Sequence, residues 1–386
     1  MMKFYHSGMG GAPAMTGTVG ATIGVLDACL KDGFGLKSVT SLVVSGGVAT
    51  ATVGTGHPGV VNGTVLIAGS SITALNGEQT VTSVTSTTVS WATSAADGTA
   101  TGTITLKAAP LGWTKSFTGT NLAAYKPSAV AATGCYLRVD DTSAQVTRVV
   151  GYETMTDVNT GTNAFPTAVQ FSGGLYWPKS STADTAARPW FVVGDDRIFY
   201  IYVSPNAGFS GQGAMFGFGD ILSNKPGDAW HCALFGSEAA GVNNYGSQNP
   251  GDVGCAAQVG GAATGFYLAR AVAALPGAQA ALKLSAHIQT AAQSGAANSG
   301  NLAFPDPDNN GLLVGPVDVR AGTGLRGRLP GILHSPQYIF DAISTLTVFD
   351  GAGVYAGKKL MAIRTGLTGN AGNTGPLFVD LTGPWR

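Results

Sequence analysis

The chain has 386 residues, enough for two or three domains and a sizeable core. Only 11% of them are charged, and 21 Lys and Arg balance 21 Asp and Glu to a formal net charge of zero. No run of like charge occurs, which speaks against nucleic acid as a partner, because displacing counterions from a polyanion takes clustered Lys and Arg. Weak self-repulsion fits a subunit that associates into an assembly.

The acids are 18 Asp against three Glu (Glu78, Glu153 and Glu238). Asp favours turns and caps where Glu favours helix interiors, so the skew predicts many turns and few helices. Cys29, Cys135, Cys232 and Cys255 form no Cys-x-x-Cys pair, which points to reduced, partly buried thiols and not to a zinc cluster or disulfide framework. The N-terminus lacks an apolar signal region, and no 18-residue apolar run follows, so neither a signal peptide nor a membrane span is expected.

In chain order, residues 1–37 open Gly-rich and then place Val19, Ile23, Leu26 and Leu30 at helical spacing. This predicts one short helix within Thr16 to Leu30, capped by Thr16 or Thr18 and ended by Gly33. So short a segment must pack on something later in the chain. Residues 38–107 change abruptly to Val, Thr, Ala and Gly. Runs at 42–44, 48–53, 65–67, 79–84, 88–92 and 99–106, with Gly46-Gly47 and Asn76-Gly77 turns, predict about six strands in a small closed barrel or sandwich. We read this module as an insertion into a larger β-rich domain, 108–386.

Within that domain, Gly112 to Lys179 alternates apolar and polar residues between turn clusters, as consecutive antiparallel strands with one buried face do. Pro189 to Val193 and Ile198 to Val203, joined by Gly194-Asp195-Asp196-Arg197, form the clearest hairpin. Strand-like runs follow at 214–220 and 230–235. Residues 236–310 are irregular and loop-rich, apart from a strand period over Leu282 to Ile288. Further strands are expected around Asp350-Gly351, at 360–363 and at 377–381. The fold class expected is mainly β: a large antiparallel β-sandwich-like domain, one short N-terminal helix, and the inserted small β module.

The candidates for chemistry are few. Asp140-Asp141 and Asp195-Asp196 are adjacent acids, and consecutive strand residues face opposite ways, so each pair suits a hairpin tip better than a shared substrate. Asp306, Asp308 and Asn310 begin a calcium-loop pattern with Gly311, but its twelfth position is Val317 where a bidentate Glu is needed. They remain the one weak metal candidate, beside the plainer reading as a turn. Two Gly-x-Gly-x-x-Gly matches, Gly54 to Gly59 and Gly322 to Gly327, lack the helix that a nucleotide loop requires. His6, His57, His231, His287 and His334 are scattered, and Trp177, Trp190, Trp230 and Trp385 read as core before they read as sugar-stacking platforms. No catalytic residue and no cofactor site is assigned.

Five stretches carry a resemblance: Gly112 to Ala123, Tyr136 to Thr142, Gly151-Tyr152-Glu153, Arg326 to Gly331, and Asp380 to Arg386. Together they resemble a family of virion structural proteins of tailed bacteriophages, over nearly the whole chain. The 38–107 module is similar to small β domains inserted in phage tail proteins, where Gly-Gly-Val-Ala-Thr-Ala and Leu-Asn-Gly-Glu recur. The resemblance implies a non-enzymatic subunit of the tail tip or baseplate region. Such a subunit is assembled into the virion in the host cytoplasm, and acts by self-association and contacts with other virion proteins. The alternative is a host-receptor or glycan-binding tail protein, and behind it a capsid-associated decoration protein or a polysaccharide-degrading enzyme.

Overall fold

The computed structural model describes residues 1–206, 213–238, 265–285, 302–335, 337, 339, 342–366 and 374–386. The protein is mainly β, built from antiparallel ladders with one short helix. Residues 239–264 and 286–301, which include Cys255, His287 and Ile288 and most of the stretch expected to be loop-rich, lie outside the described residues.

The first strand, Lys3–His6, pairs with Trp190–Gly194 in the register Lys3↔Gly194 to His6↔Phe191. The segment before the barrel thus joins a sheet whose neighbouring strand lies far along the chain. That sheet continues through Ile198–Val203, Ala214–Asp220, Cys232–Phe235 and Phe266–Leu268. Next comes Gln279–Ser285, whose residues 279–280 pair back to Phe266–Leu268 while 281–285 pair forward to Gly315–Ala321. A strand that changes partner along its length turns a corner. Beyond it, Gly324–His334, Thr374–Asp380, Lys359–Gly366 and Val348–Asp350 complete the half that folds over the first.

A third layer is the six-stranded sheet of Thr114–Gly119, Leu122–Lys126, Tyr136–Asp140, Val146–Met155, Gly161–Phe165 and Leu175–Pro178. The hairpin of Trp190–Gly194 and Ile198–Val203 therefore has packing on both faces. Trp190, Val192, Phe199 and Ile201 join the cluster containing Leu137, Val139, Val149 and Trp177. Phe191, Val193, Ile198 and Tyr200 join Val317, Leu329, Ile363 and Val379 on the other side. Burial on both faces is why this stretch reads as an unbroken apolar run while the outer sheet alternates. Two indoles tie the layers together. Trp113 Nε1 donates to the Asp195 carbonyl at 3.0 Å and Trp177 Nε1 to the Phe235 carbonyl at 3.0 Å.

The helix covers Ala21–Leu26 and continues as a wider π turn over Asp27–Asp32, ending at Gly33 with φ 71°. It is shorter at its start than the spacing predicts. Gly20, at φ 80°, breaks the pattern, Val19 lies outside the helix and 50% exposed, and the hydroxyls of Thr16 and Thr18 bond each other at 2.7 Å instead of capping. Ile23, Leu26 and Leu30 are buried as their spacing requires.

Residues 34–108 form the small module. Phe34–Ser38 pairs with Thr105–Ala108, and Ser41–Ser45 with Gly98–Thr99. Between these ladders Val39 donates to the Ile104 carbonyl and Ala100 to the Leu42 carbonyl. The first and last segments thus run side by side, and the ladders through Val48–Thr52, Thr88–Ala92, Gly77–Val84 and Thr64–Ala68 close the sheet on itself. The closed sheet encloses a core of its own around Trp91, Leu42, Ile67, Val81, Val89 and Leu106. The pairing of Phe34 with Ala108 extends the module a few residues past 38 and 107.

One glycine holds the C-terminal packing. Gly331 has φ 69°, and a Cβ there would lie 2.0 Å from Cε2 of Trp385. Left-handed strain and overpacking together make Gly331→Ala expected to lower the unfolding free energy by about 3 kcal/mol. Denaturant unfolding followed by indole fluorescence measures it, and an unchanged midpoint would contradict the packing described.

Candidate functional site

A recess with charged walls, about 610 Å³, opens where loops of two layers meet. Its lining includes Thr133, Arg197, Ser223, Lys225, Asp228, His231 and Arg386. Arg197 projects from the turn of the central hairpin, Thr133 from the loop before Tyr136–Asp140, and Ser223 to His231 from the connection after Ala214–Asp220.

The acids around this recess are committed to protein partners. Asp220, fully buried, accepts from Thr133 N at 2.8 Å and Thr133 Oγ1 at 2.5 Å, with His231 Nε2 3.8 Å away. Asp228 accepts from Ser223 Oγ at 2.6 Å and pairs with Arg326 at 2.8 Å, while His231 Nδ1 donates to its backbone carbonyl. Asp195 meets Arg386 Nε at 3.2 Å. The two hydroxyls thus donate to carboxylates instead of meeting the imidazole, so no nucleophile and base are paired as acyl transfer requires. Among the described residues nothing bonds the half-buried guanidinium of Arg197, and Lys225 reaches only the Val272 carbonyl, at 2.7 Å. Chemically, the recess offers cationic donors to an anionic group.

The residues singled out in the sequence fall elsewhere. Asp306 Oδ1 accepts Asp308 N at 2.9 Å and Asn309 N at 3.3 Å, and Asn310 N donates to the Asp306 carbonyl at 2.7 Å, which makes an Asx turn. Val317, the twelfth position, is a fully buried strand residue. No group of three His, Cys, Asp or Glu among the described residues could hold a metal ion. Gly54 to Gly59 connects two strands of the barrel, and Gly322 to Gly327 spans the turn between Gly315–Ala321 and Gly324–His334. Trp177, Trp190 and Trp385 are core, and half-buried Trp230 has the Arg270 guanidinium 3.6 Å above its ring, held there by Glu153.

The acid pairs divide. Asp195 behaves as a turn residue, its Oδ1 accepting Arg197 N at 2.8 Å and Ile198 N at 2.9 Å. Asp140 likewise accepts Thr142 Oγ1 at 2.6 Å. Asp141 does not: it is 0% exposed and caps the N-terminal helix, its Oδ2 accepting Thr22 N at 2.8 Å and Ile23 N at 3.2 Å. Its Oδ1 accepts Thr147 Oγ1 at 2.9 Å and touches Nζ of Lys179, itself 1% exposed. Burial raises the Asp141 carboxyl above its ordinary range, against the pull of Lys179, and burial lowers the Lys179 ammonium. Sequence reasoning missed Lys179, which carries no local signal.

Cys29, Cys135 and Cys232 are buried, and burial pushes the Cys29 and Cys232 thiols well up. In a Cys255→Ser variant, a disulfide reagent at neutral pH is expected to find no fast-reacting thiol until denaturant is added. Stoichiometric labelling of the native protein would contradict this.

Compared with known proteins, the chain matches no family model and no curated sequence.

Proposed function

We propose that this chain is a structural subunit of a bacteriophage virion, of the tail tip or baseplate region, working through contacts with copies of itself and other virion proteins. The observation that carries the reading is the state of the recess. Its carboxylates and hydroxyls are consumed by one another, and what remains open is cationic, a surface suited to seating an acidic segment of a neighbouring subunit. The neutral, Gly- and Thr-rich composition and the resemblance at Gly112 to Ala123 and Asp380 to Arg386 support the same reading.

Mass spectrometry of purified particles tests it: the chain is expected at stoichiometric abundance, with an Arg197→Glu variant incorporated less. Particles that assemble fully without the chain would overturn the proposal. The glycan-binding alternative rests on aromatics and on the loops of 236–310. Of the four tryptophans considered for it, Trp177, Trp190 and Trp385 are core and Trp230 already carries Arg270, while most of the loop stretch lies outside the described residues.

A further inference from the structure

We propose that Lys179 and Asp141 are joined by an isopeptide bond, Nζ to Cγ, formed by the folded protein itself. The inference is independent of the function proposed above. It starts from where the two residues sit. Asp141 follows the strand Tyr136–Asp140 and Lys179 follows Leu175–Pro178, and both strands pair with Val146–Met155 between them. The two side chains therefore meet across Thr147, on strands that do not pair with each other.

The surroundings are those an amide condensation requires. The pair is sealed from solvent at 1% and 0% exposure, so bulk water neither solvates the charges nor reverses the reaction. Nζ touches Oδ1, and the Thr18 carbonyl, 2.7 Å from Nζ, fixes the amine. Reacting groups held this close convert a bimolecular condensation into an effectively unimolecular one. Oδ2 receives two backbone N–H groups, from Thr22 at 2.8 Å and Ile23 at 3.2 Å, placed to stabilise the negative charge that develops there on attack. Thr147 Oγ1 donates to Oδ1 at 2.9 Å and lies 2.7 Å from Thr22 Oγ1, so the carboxyl is held on both oxygens. Burial moves the carboxyl and the ammonium toward their neutral forms, the state in which an amine is a nucleophile.

The step balances without an outside reagent. Transfer of one proton from the ammonium to the carboxylate gives a neutral amine and a neutral acid. The Nζ lone pair then attacks Cγ, with charge building on Oδ2. The tetrahedral centre collapses, the Cγ–Oδ1 bond breaks, and Oδ1 leaves as water, taking its second proton from Nζ, which it touches. Nothing is oxidised or reduced. The product ties the strand before Asp141 to the strand before Lys179 across 38 positions of chain.

Intact mass of the full chain under denaturing conditions is the test, with a Lys179→Arg variant as reference so that other processing cancels. The wild type is expected one water lighter than its sequence relative to that variant, and digestion is expected to yield one branched peptide joining Lys179 to residue 141. Asp141→Asn should reach the same linked mass by losing ammonia instead. If Lys179→Arg fails to fold, the branched peptide in the wild type still decides. Wild-type protein at its unlinked mass, with Lys179 open to an amine reagent once denatured, would overturn the proposal.

Discussion

Phe199→Ala is expected to lower the unfolding free energy of the main body by about 3–5 kcal/mol, among the largest losses any single truncation here would cause. Phe199 is fully buried in the central layer, with Trp113 edge-on at 5.2 Å between ring centroids and Trp177 edge-on at 6.1 Å. Both indoles are fixed by hydrogen bonds to backbone carbonyls, one in the hairpin turn at Asp195 and one on the strand residue Phe235, so they cannot swing inward to fill the space a missing ring leaves. A cavity that cannot collapse keeps its full cost. Chemical denaturation should show the main-body transition moving to lower denaturant. The barrel, whose core residues around Trp91 form a separate cluster, should be unaffected in local hydrogen exchange. Equal loss of protection in barrel and main body would mean that the two unfold as one unit.

The second large effect is expected at Asp141→Ala, again about 3–5 kcal/mol, because removing one member of a buried pair strands the other. Lys179 would keep only the Thr18 carbonyl, and the amides of Thr22 and Ile23 would lose their acceptor at the start of a helix that no side chain of its own caps. Adding Lys179→Met should recover part of the loss, since an apolar stem in the same space removes the stranded charge. Thermal unfolding of the two single variants and the double variant measures this. Strict additivity would show that the residues do not act on each other. The loss is expected for ionic and covalent pairing alike, so it stands apart from the mass measurement.

The sequence made some of this architecture legible and hid the rest for physical reasons. Strands facing solvent on one side announce themselves by alternation, as Tyr136–Asp140 does with Leu137 and Val139 buried. The central hairpin announces itself by an unbroken apolar run, although its burial between two layers is a property of the assembled sheets. The barrel was readable from turn signals such as Gly46-Gly47. The helix start was not, because its cap arrives from Asp141, 119 positions away in the chain. Local spacing suggested Thr16 or Thr18, the residues from which a cap ordinarily comes. Asp141 itself was hidden by Asp140. Two adjacent acids look alike in sequence, and only the strand's end decides that one faces a solvated turn while the other enters the core beside Lys179.

The side-by-side course of the barrel's first and last segments has a consequence for engineering and for descent. Phe34 and Ala108 are paired across the ladder at the module's two ends, so the chain leaves the main body and comes back to it through neighbouring positions. A unit whose two ends meet is portable. Cutting at that pair and bridging it with a short turn would leave the parent's path undisturbed, and grafting the excised piece into another surface hairpin needs no change in the recipient's course.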